Sequence, residues 1–177
     1  MLISMYEIEI QKGVAVSVEG DTVKIKGKLG SCSKKFNRRL ISVSSNGSKV
    51  KVDETSNSKL SKKAALASQA FASELKSSIK GVEEGIETKM TMFFAHFPMT
   101  IEIKNKQVLI KNIFGERVPR ETKIVGDTKV EVKGQAVTIK GVDAYDVGQT
   151  VANLRKICFA RGFDTRVFQD GIYKSKE

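Results

Sequence analysis

The chain of 177 residues contains no tryptophan, one histidine and two cysteines. A zinc centre takes four clustered ligands, or three and a water. His96, Cys32 and Cys158 stand far apart with no CxxC pair and supply neither set. Two isolated cysteines fit buried thiols of a reducing compartment, with a single disulfide between them as the alternative. No apolar run approaches the ~20 residues of a membrane span. There is no P-loop, dinucleotide fingerprint or nucleophile-elbow serine. The opening "MLISMYEIEI" lacks a basic segment and carries Glu7 and Glu9, so it does not read as a secretion signal. These lacks predict an intracellular soluble protein with no membrane span, and no metal, cofactor or small-molecule substrate is expected. Aromatics are few, at 7%, against 40% hydrophobic residues overall, which predicts cores built from Val, Ile, Leu and Ala.

What the chain has in excess is positive charge. Lysine and arginine number 31 against 20 acids, a net charge of +11. Such a surface attracts polyanions without specifying which. Nucleic acid is the first candidate and an anionic membrane surface the second; a merely basic surface is the plain alternative.

The hydrophobic pattern organises the chain into two halves. In "VAVSVEGDTVKIKG" (residues 14–27) apolar residues alternate on either side of Gly20-Asp21, a hairpin signature. Asn46-Gly47 marks a second hairpin in "LISVSSNGSKVKV". Ala64, Ala67, Phe71, Leu75 and Ile79 then form one stripe of a helix, capped by Ser58 or Ser61 and ended by Gly81. The order recurs downstream. "TIEIKNKQVLIKNIFG" (100–115) alternates like residues 15–30, and a shift of about 85 superposes Val108, Ile110, Lys111 and Gly115 on Val23, Ile25, Lys26 and Gly30. A hairpin about Gly126-Asp127 is expected to join "TKIV" to "TKVEV", followed by a strand "AVTIKG". A helix then runs from the cap Asp143 with Val147, Val151, Leu154 and Cys158 on its apolar side. A competing shift, matching "VSVEGDTVKIKG" to "VEVKGQAVTIKG", has more identities but leaves the helices unaligned, so element order is preferred. The expected fold is α+β: two similar tandem modules, residues 1–82 and 83–177, each an antiparallel-rich sheet packed by one helix. An extended C-terminal tail completes it.

Enzymatic groups are sparse. The single imidazole lies in "FFAHFPM" among apolar residues and reads as a structural histidine; the acids are scattered singly. "GKLG" (27–30) has the glycine spacing of a backbone clamp, but a strand leads into it, so a glycine-bounded turn is the preferred reading. What remains is basic clusters expected in loops. Lys34, Lys35, Arg38 and Arg39 form one, equally readable as a solvated run. Arg117 and Arg120 flank Pro119 in the second. The third is the tail, with Arg161, Arg166, Lys174 and Lys176. Phe163, Phe168 and Tyr173 interleave with its bases, and Gln169, Asp170 and Gly171 add donors, acceptors and a turn. That mixture suits RNA, which offers unstacked bases, phosphates and 2′-hydroxyls. Asp170 reads as a turn former or hydrogen-bond acceptor rather than a catalytic acid.

The segments "FAHFPM" (94–99), "NIFGERVPR" (112–120), "DVGQTVANL" (146–154) and "RVFQDGIY" (166–173) together resemble the L-six family of ribosomal proteins in its archaeal and eukaryotic form, and the archaeal members more. The resemblance runs along nearly the whole chain. It implies a non-catalytic component of the large ribosomal subunit that contacts large-subunit ribosomal RNA, mainly through the second module and the tail. It further implies a place near the sarcin-ricin region and the stalk base, among neighbouring ribosomal proteins and close to docking translational GTPases. The matching positions are Asn112, Gly115, Glu116, Arg117, Pro119 and Arg120 in the loop, and Arg166, Phe168, Gln169, Asp170, Gly171 and Tyr173 in the tail. Where archaeal members tend to carry a basic pair after the proline, this chain has Arg120-Glu121, which implies one phosphate contact fewer. The alternatives are a free RNA-binding or ribosome-assembly protein of the same fold, and a hydrolase or transferase, which would need a pocket at His96 or a pair of acids in space.

Overall fold

A computed structural model describes residues 6–11, 13–47, 49–54 and 61–175. The chain divides into two compact units, residues 1–85 and 86–177, slightly beyond the expected boundary at 82–83.

The first unit contains β1 (Tyr6–Glu9), β2 (Ala15–Glu19), β3 (Thr22–Lys26), β4 (Ser31–Lys35), β5 (Ile41–Ser45), β6 (Lys49–Glu54) and α1 (Ser61–Glu83). They build two three-stranded antiparallel sheets, β2-β3-β4 and β1-β6-β5. Both expected hairpins form, with Gly20 and Gly47 at positive φ in their turns. Period-two alternation buries Val23 and Ile25 from β3, and Val50 and Val52 from β6. Helix α1 supplies Ala64, Phe71, Leu75 and Ile79 to the same core, with Ala67 half-buried. The suggested cap Ser58 lies outside the described residues.

Gly81 does not end this helix. The helix continues to Glu83 and is terminated by Gly85, whose φ is 79° and whose amide donates to the Gly81 carbonyl at 3.1 Å. The extra half-turn buries Val82 completely against the β3–β4 turn. That turn is "GKLG": Gly27 N–H donates to Gly30 O at 3.0 Å, and Leu29 N–H to Val82 O at 3.1 Å. A Cβ on Gly27 would lie 2.2 Å from Val82 Cγ1, so only glycine admits the approach.

The second unit contains β7 (Ile86–Phe93), β8 (Thr100–Lys104), β9 (Gln107–Lys111), a 3-10 turn (Ile113–Gly115), β10 (Arg120–Lys123), β11 (Lys129–Lys133), β12 (Ala136–Gly141), α2 (Ala144–Ile157) and β13 (Gly171–Lys174). Its sheets are β8-β9-β10 and β11-β12-β7-β13. The pairing repeats that of the first unit, with β7, β12 and β11 in the places of β1, β6 and β5. Strands β8 and β9 follow the 85-residue shift along their whole length. Each unit is thus α+β with one helix, built on two sheets rather than a single one.

Two expectations change. Gly126-Asp127 does not turn a hairpin: β10 pairs with β9, β11 pairs with β12, and the segment crosses between sheets. Lys106 holds the crossing, its ammonium donating to Gly126 O at 3.0 Å and meeting Asp127 at 3.2 Å. The hairpin equivalent to β5–β6 turns instead at Gly134, φ 59°. The tail is also more than an extension, because Gly171–Lys174 joins the sheet as β13, antiparallel to β7. Ile172 reaches the core, 1% exposed, beside Met90, Met92, Val137, Ile139 and Leu154.

Helix α2 starts as expected. Asp143 accepts the Tyr145 amide at 3.0 Å, and Asp146 lies in the positive first turn. Val147, Leu154 and Cys158 are buried and Val151 is half-buried. Cys32 and Cys158 are both buried, and neither forms a disulfide. Among the described residues no helix is long and apolar enough to cross a membrane.

Candidate nucleic-acid interface

Three segments far apart in sequence, 93–99, 112–120 and 159–173, meet at one place in the second unit. The joint begins at Asp170. Its carboxylate is buried, 3% exposed for the residue, immediately before β13. It accepts the amide of Ala95 at 2.9 Å and that of His96 at 3.3 Å, with His96 Nδ1 at 3.4 Å. Burial opposes the charge, but these donors outweigh it and hold the carboxyl below its ordinary pKa. The His96 ring stacks on Phe168 with centroids 4.6 Å apart. Phe168 lies against Phe163 at 4.8 Å, and Phe163 stacks on Phe114 at 5.3 Å. The histidine is therefore one ring in an aromatic row, held by an acid that serves backbone amides. That is a structural arrangement, as the sequence implied.

The loop after β9 is bent to meet this row. Asn112, Phe114 and Gly115 have φ of 59°, 49° and 75°. The left-handed region costs a bulky residue like phenylalanine energy, which the burial of its ring here offsets. Asn112 Nδ2 donates to Pro98 O at 3.0 Å, and a Cβ on Gly115 would meet the Phe97 ring at 3.3 Å.

Arg120 closes the joint from the other side. It binds Glu116 in a fork, Nε to Oε2 at 2.8 Å and Nη2 to Oε1 at 2.5 Å. Its Nη1 donates to the carbonyls of Ile157 at 2.6 Å and Phe159 at 3.0 Å, where α2 leaves orphan acceptors. Its guanidinium carbon sits 5.6 Å from the Phe114 ring centroid. The hydrogen bonds with Arg120 lower the Glu116 pKa, and those with Glu116 raise that of Arg120.

The sequence-derived residues thus separate into two groups. Asp170, Gly171, Glu116, Arg120, Pro119 and Phe168 are buried or half-buried and hold the joint together. Asn112, Gly115, Arg117, Arg161, Arg166, Gln169, Tyr173 and Lys174 are exposed on it. Arg117, Arg161, Arg166 and Lys174 have no ion pair among the described residues. Lys176 lies outside the described residues. The cluster at 34–39 is different. Lys34 sits in strand β4 rather than a loop, 8% exposed, and pairs with Glu74 at 3.0 Å. Arg38 pairs with Asp21 at 2.6 Å and donates to Gly20 O at 3.2 Å. Both arginine and lysine there serve their own unit. Sequence reasoning passed over Phe93, Phe97 and Phe159, all exposed at or beside the joint. The apolar density of "FFAHFPM" was the available signal for the first two.

Comparison with known proteins points to a single family. A family model described as Ribosomal protein L6 matches residues 97–171, which includes the whole of 112–120, the end of the first segment and most of the third. The chain is 41% identical over 166 residues, 94% of its length, to the large ribosomal subunit protein uL6 of Thermoplasma acidophilum, of which 92% is covered. It is 44% identical over 168 residues to the protein of that name from Methanocella arvoryzae, covering 94% of this chain and 93% of the relative. With that of Methanosarcina mazei it shares 42% over 166 residues, 94% and 93% of the two chains. At these identities, over nearly the full length of both chains, the chain belongs to the ribosomal protein L6 family in its archaeal form.

Proposed function

We propose that this protein is a structural constituent of the large ribosomal subunit that grips ribosomal RNA through the exposed basic groups around the joint in its second unit. As a member of its family it is a ribosomal component rather than an enzyme, working in the cytoplasmic ribosome. The finer reading puts it near the sarcin-ricin region and the stalk base, among neighbouring ribosomal proteins and within reach of translational GTPases. The observation that carries the RNA contact is the separation of roles just described. Buried residues lock three segments together, so that the backbone positions of exposed Arg117, Arg161, Arg166 and Lys174 are set, and their side chains have no ion pair among the described residues. Setting the backbone in advance removes the cost of ordering the loops on meeting phosphates, and each contact releases counterions, making the grip salt-sensitive.

The test is incorporation into large subunits, followed by gradient co-sedimentation after a high-salt wash. Replacing Arg166 and Lys174 with alanine is expected to reduce stoichiometric retention well below that of a control altered at Lys49 and Lys51. Those control lysines are already paired with Glu7, at 3.4 and 2.9 Å. Equal loss in both variants would remove the assignment of this face. Substoichiometric presence in mature subunits would favour a free assembly protein.

A further inference from the structure

The four-stranded sheet of the second unit has two faces. One packs on α2 and carries Met90, Met92, Val137, Ile139 and Ile172 into the core. Among the described residues no helix packs on the other. Cross-strand partners share a face of a sheet, so the register defines its surface. One row runs Lys133, Ala136, Thr91, Tyr173 across all four strands. Phe93 lies next to it, opposite Gly171. Phe93 is 51% exposed and Tyr173 44%.

Tyr173 is not a loose side chain. Its hydroxyl donates to Gln169 O at 2.9 Å, and its ring lies across Gly171, where a Cβ would stand 3.3 Å from the ring. A glycine beneath and a hydrogen bond at the tip thus lay the ring flat beside Phe93. The middle of the row is small, Ala136 and Thr91, giving a shallow trough about 14 Å wide at the usual strand spacing.

Around this trough the lysines outnumber the acids, with Lys89, Lys129, Lys133 and Lys140 facing outward beside Glu87 and Glu131. Lys89, Lys129 and Lys133 have no ion pair among the described residues. Lys129 stands directly opposite Lys140, whose ammonium is paired with Glu87 at 3.6 Å. The first unit provides an internal comparison. Its corresponding sheet, β1-β6-β5, presents Glu7, Glu9, Lys49 and Lys51 outward, with Glu7 paired to both lysines. The fold therefore does not require outward aromatics or unmatched lysines on this sheet.

We propose that the open face of the β11-β12-β7-β13 sheet binds a single-stranded segment of RNA, with bases stacked on Tyr173 and Phe93 and phosphates met by Lys89 and Lys133. This rests on the RNA-binding reading above and adds a second, stacking mode to it. Aromatic rings on a sheet accept any base, and a ring fixed in advance binds without an ordering cost. Duplex RNA hides its bases and would not use the rings. The lysines favour RNA over an apolar protein surface as occupant.

The experiment measures anisotropy of a labelled ten-nucleotide single-stranded RNA against the full chain, with a hairpin duplex as comparison. Phe93→Ser and Tyr173→Ser are each expected to weaken single-strand binding about tenfold and to leave duplex binding unchanged. Tyr173→Phe keeps the ring and should bind within about twofold of the parent. It separates stacking from misfolding, and circular dichroism with thermal unfolding checks each variant. Lys89→Gln with Lys133→Gln should flatten the salt dependence. Folded ring variants that bind the single strand like the parent overturn the proposal. So does a variant that keeps RNA binding but loses a neighbouring ribosomal protein from the subunit, since the face would then dock protein. If Arg166 and Lys174 matter for incorporation while the rings do not, the proposed function stands and the stacking face falls. A parent chain that binds no RNA removes both.

Discussion

Asp170 sits 2.9 Å from the Ala95 amide it accepts, although the two are far apart in the chain. That bond, with those from His96, makes the carboxylate a clasp between the start of β13 and the end of β7. Removing its charge should therefore be felt in stability and should depend on pH. The group is held below its ordinary value in the fold. Its contribution is present above the unfolded value of about 4 and is lost as pH falls through the folded one. Asp170→Asn is expected to cost about 1–3 kcal/mol at neutral pH and progressively less below pH 4. Urea unfolding across pH 3–7 measures this. A pH-independent difference would mean that the charge is not what holds the loop.

Arg120 makes a second prediction. It bridges Glu116 and two carbonyls at the end of α2, so it is committed to the fold. Arg120→Ala should destabilise the protein by about 2–3 kcal/mol, and Arg120→Lys should recover little, because a point charge cannot reproduce the fork. Arg117→Ala, three residues away and exposed, should leave the unfolding midpoint unchanged. Denaturant titration of the three variants distinguishes these roles.

The bend at Gly115 gives a third. Its φ of 75° and the Phe97 ring 3.3 Å from a would-be Cβ both act against any side chain. Gly115→Ala is expected to cost about 1–2 kcal/mol from the backbone alone and to loosen Phe97. Thermal unfolding reads the first effect, and hydrogen exchange at residues 94–99 the second.

Cys158 provides a chemical test. Burial at the end of α2 pushes its pKa up to about 12. At pH 8 almost no thiolate forms, and the thiolate is the reactive species. Alkylation of the native chain should leave Cys158 unlabelled over hours, with rapid labelling in denaturant. Fast native labelling would show that the segment around α2's end opens readily.

How legible this was in the sequence depended on distance along the chain. Hairpins at Gly20-Asp21 and Asn46-Gly47 were readable because turn chemistry and alternation lie within a dozen residues. The helix stripes were readable for the same reason. Gly126-Asp127 misled because a turn signal says where the chain bends, not which strand the next one joins. The pairing of β10 with β9 and of β11 with β12 is decided by the packing of both sheets. The four residues of β13 are too few to show alternation, and their partner β7 lies on the other side of the whole unit's sequence. At the site, the residue types around "FQDGIY" pointed to contacts, and Asp170 was readable as an acceptor. That Arg120 faces α2 while Arg117 faces solvent depends on Asn112 and Phe114 adopting left-handed backbone, which no local pattern announces.

The position of β13 in the chain has one more consequence, in the order of synthesis. Strand β7 leaves the translating ribosome long before its neighbour Gly171–Lys174 has been made. At about 5–20 residues per second, the β7 edge waits several seconds with unpaired backbone groups, a state prone to wrong pairing. Until β13 arrives, Ile172 is missing from the core and Asp170 from the loop at Ala95. The second unit is therefore completed only once Gly171–Lys174 has been made, and until then the loop bearing Arg117 lacks the partner segment that carries Arg166 and Tyr173.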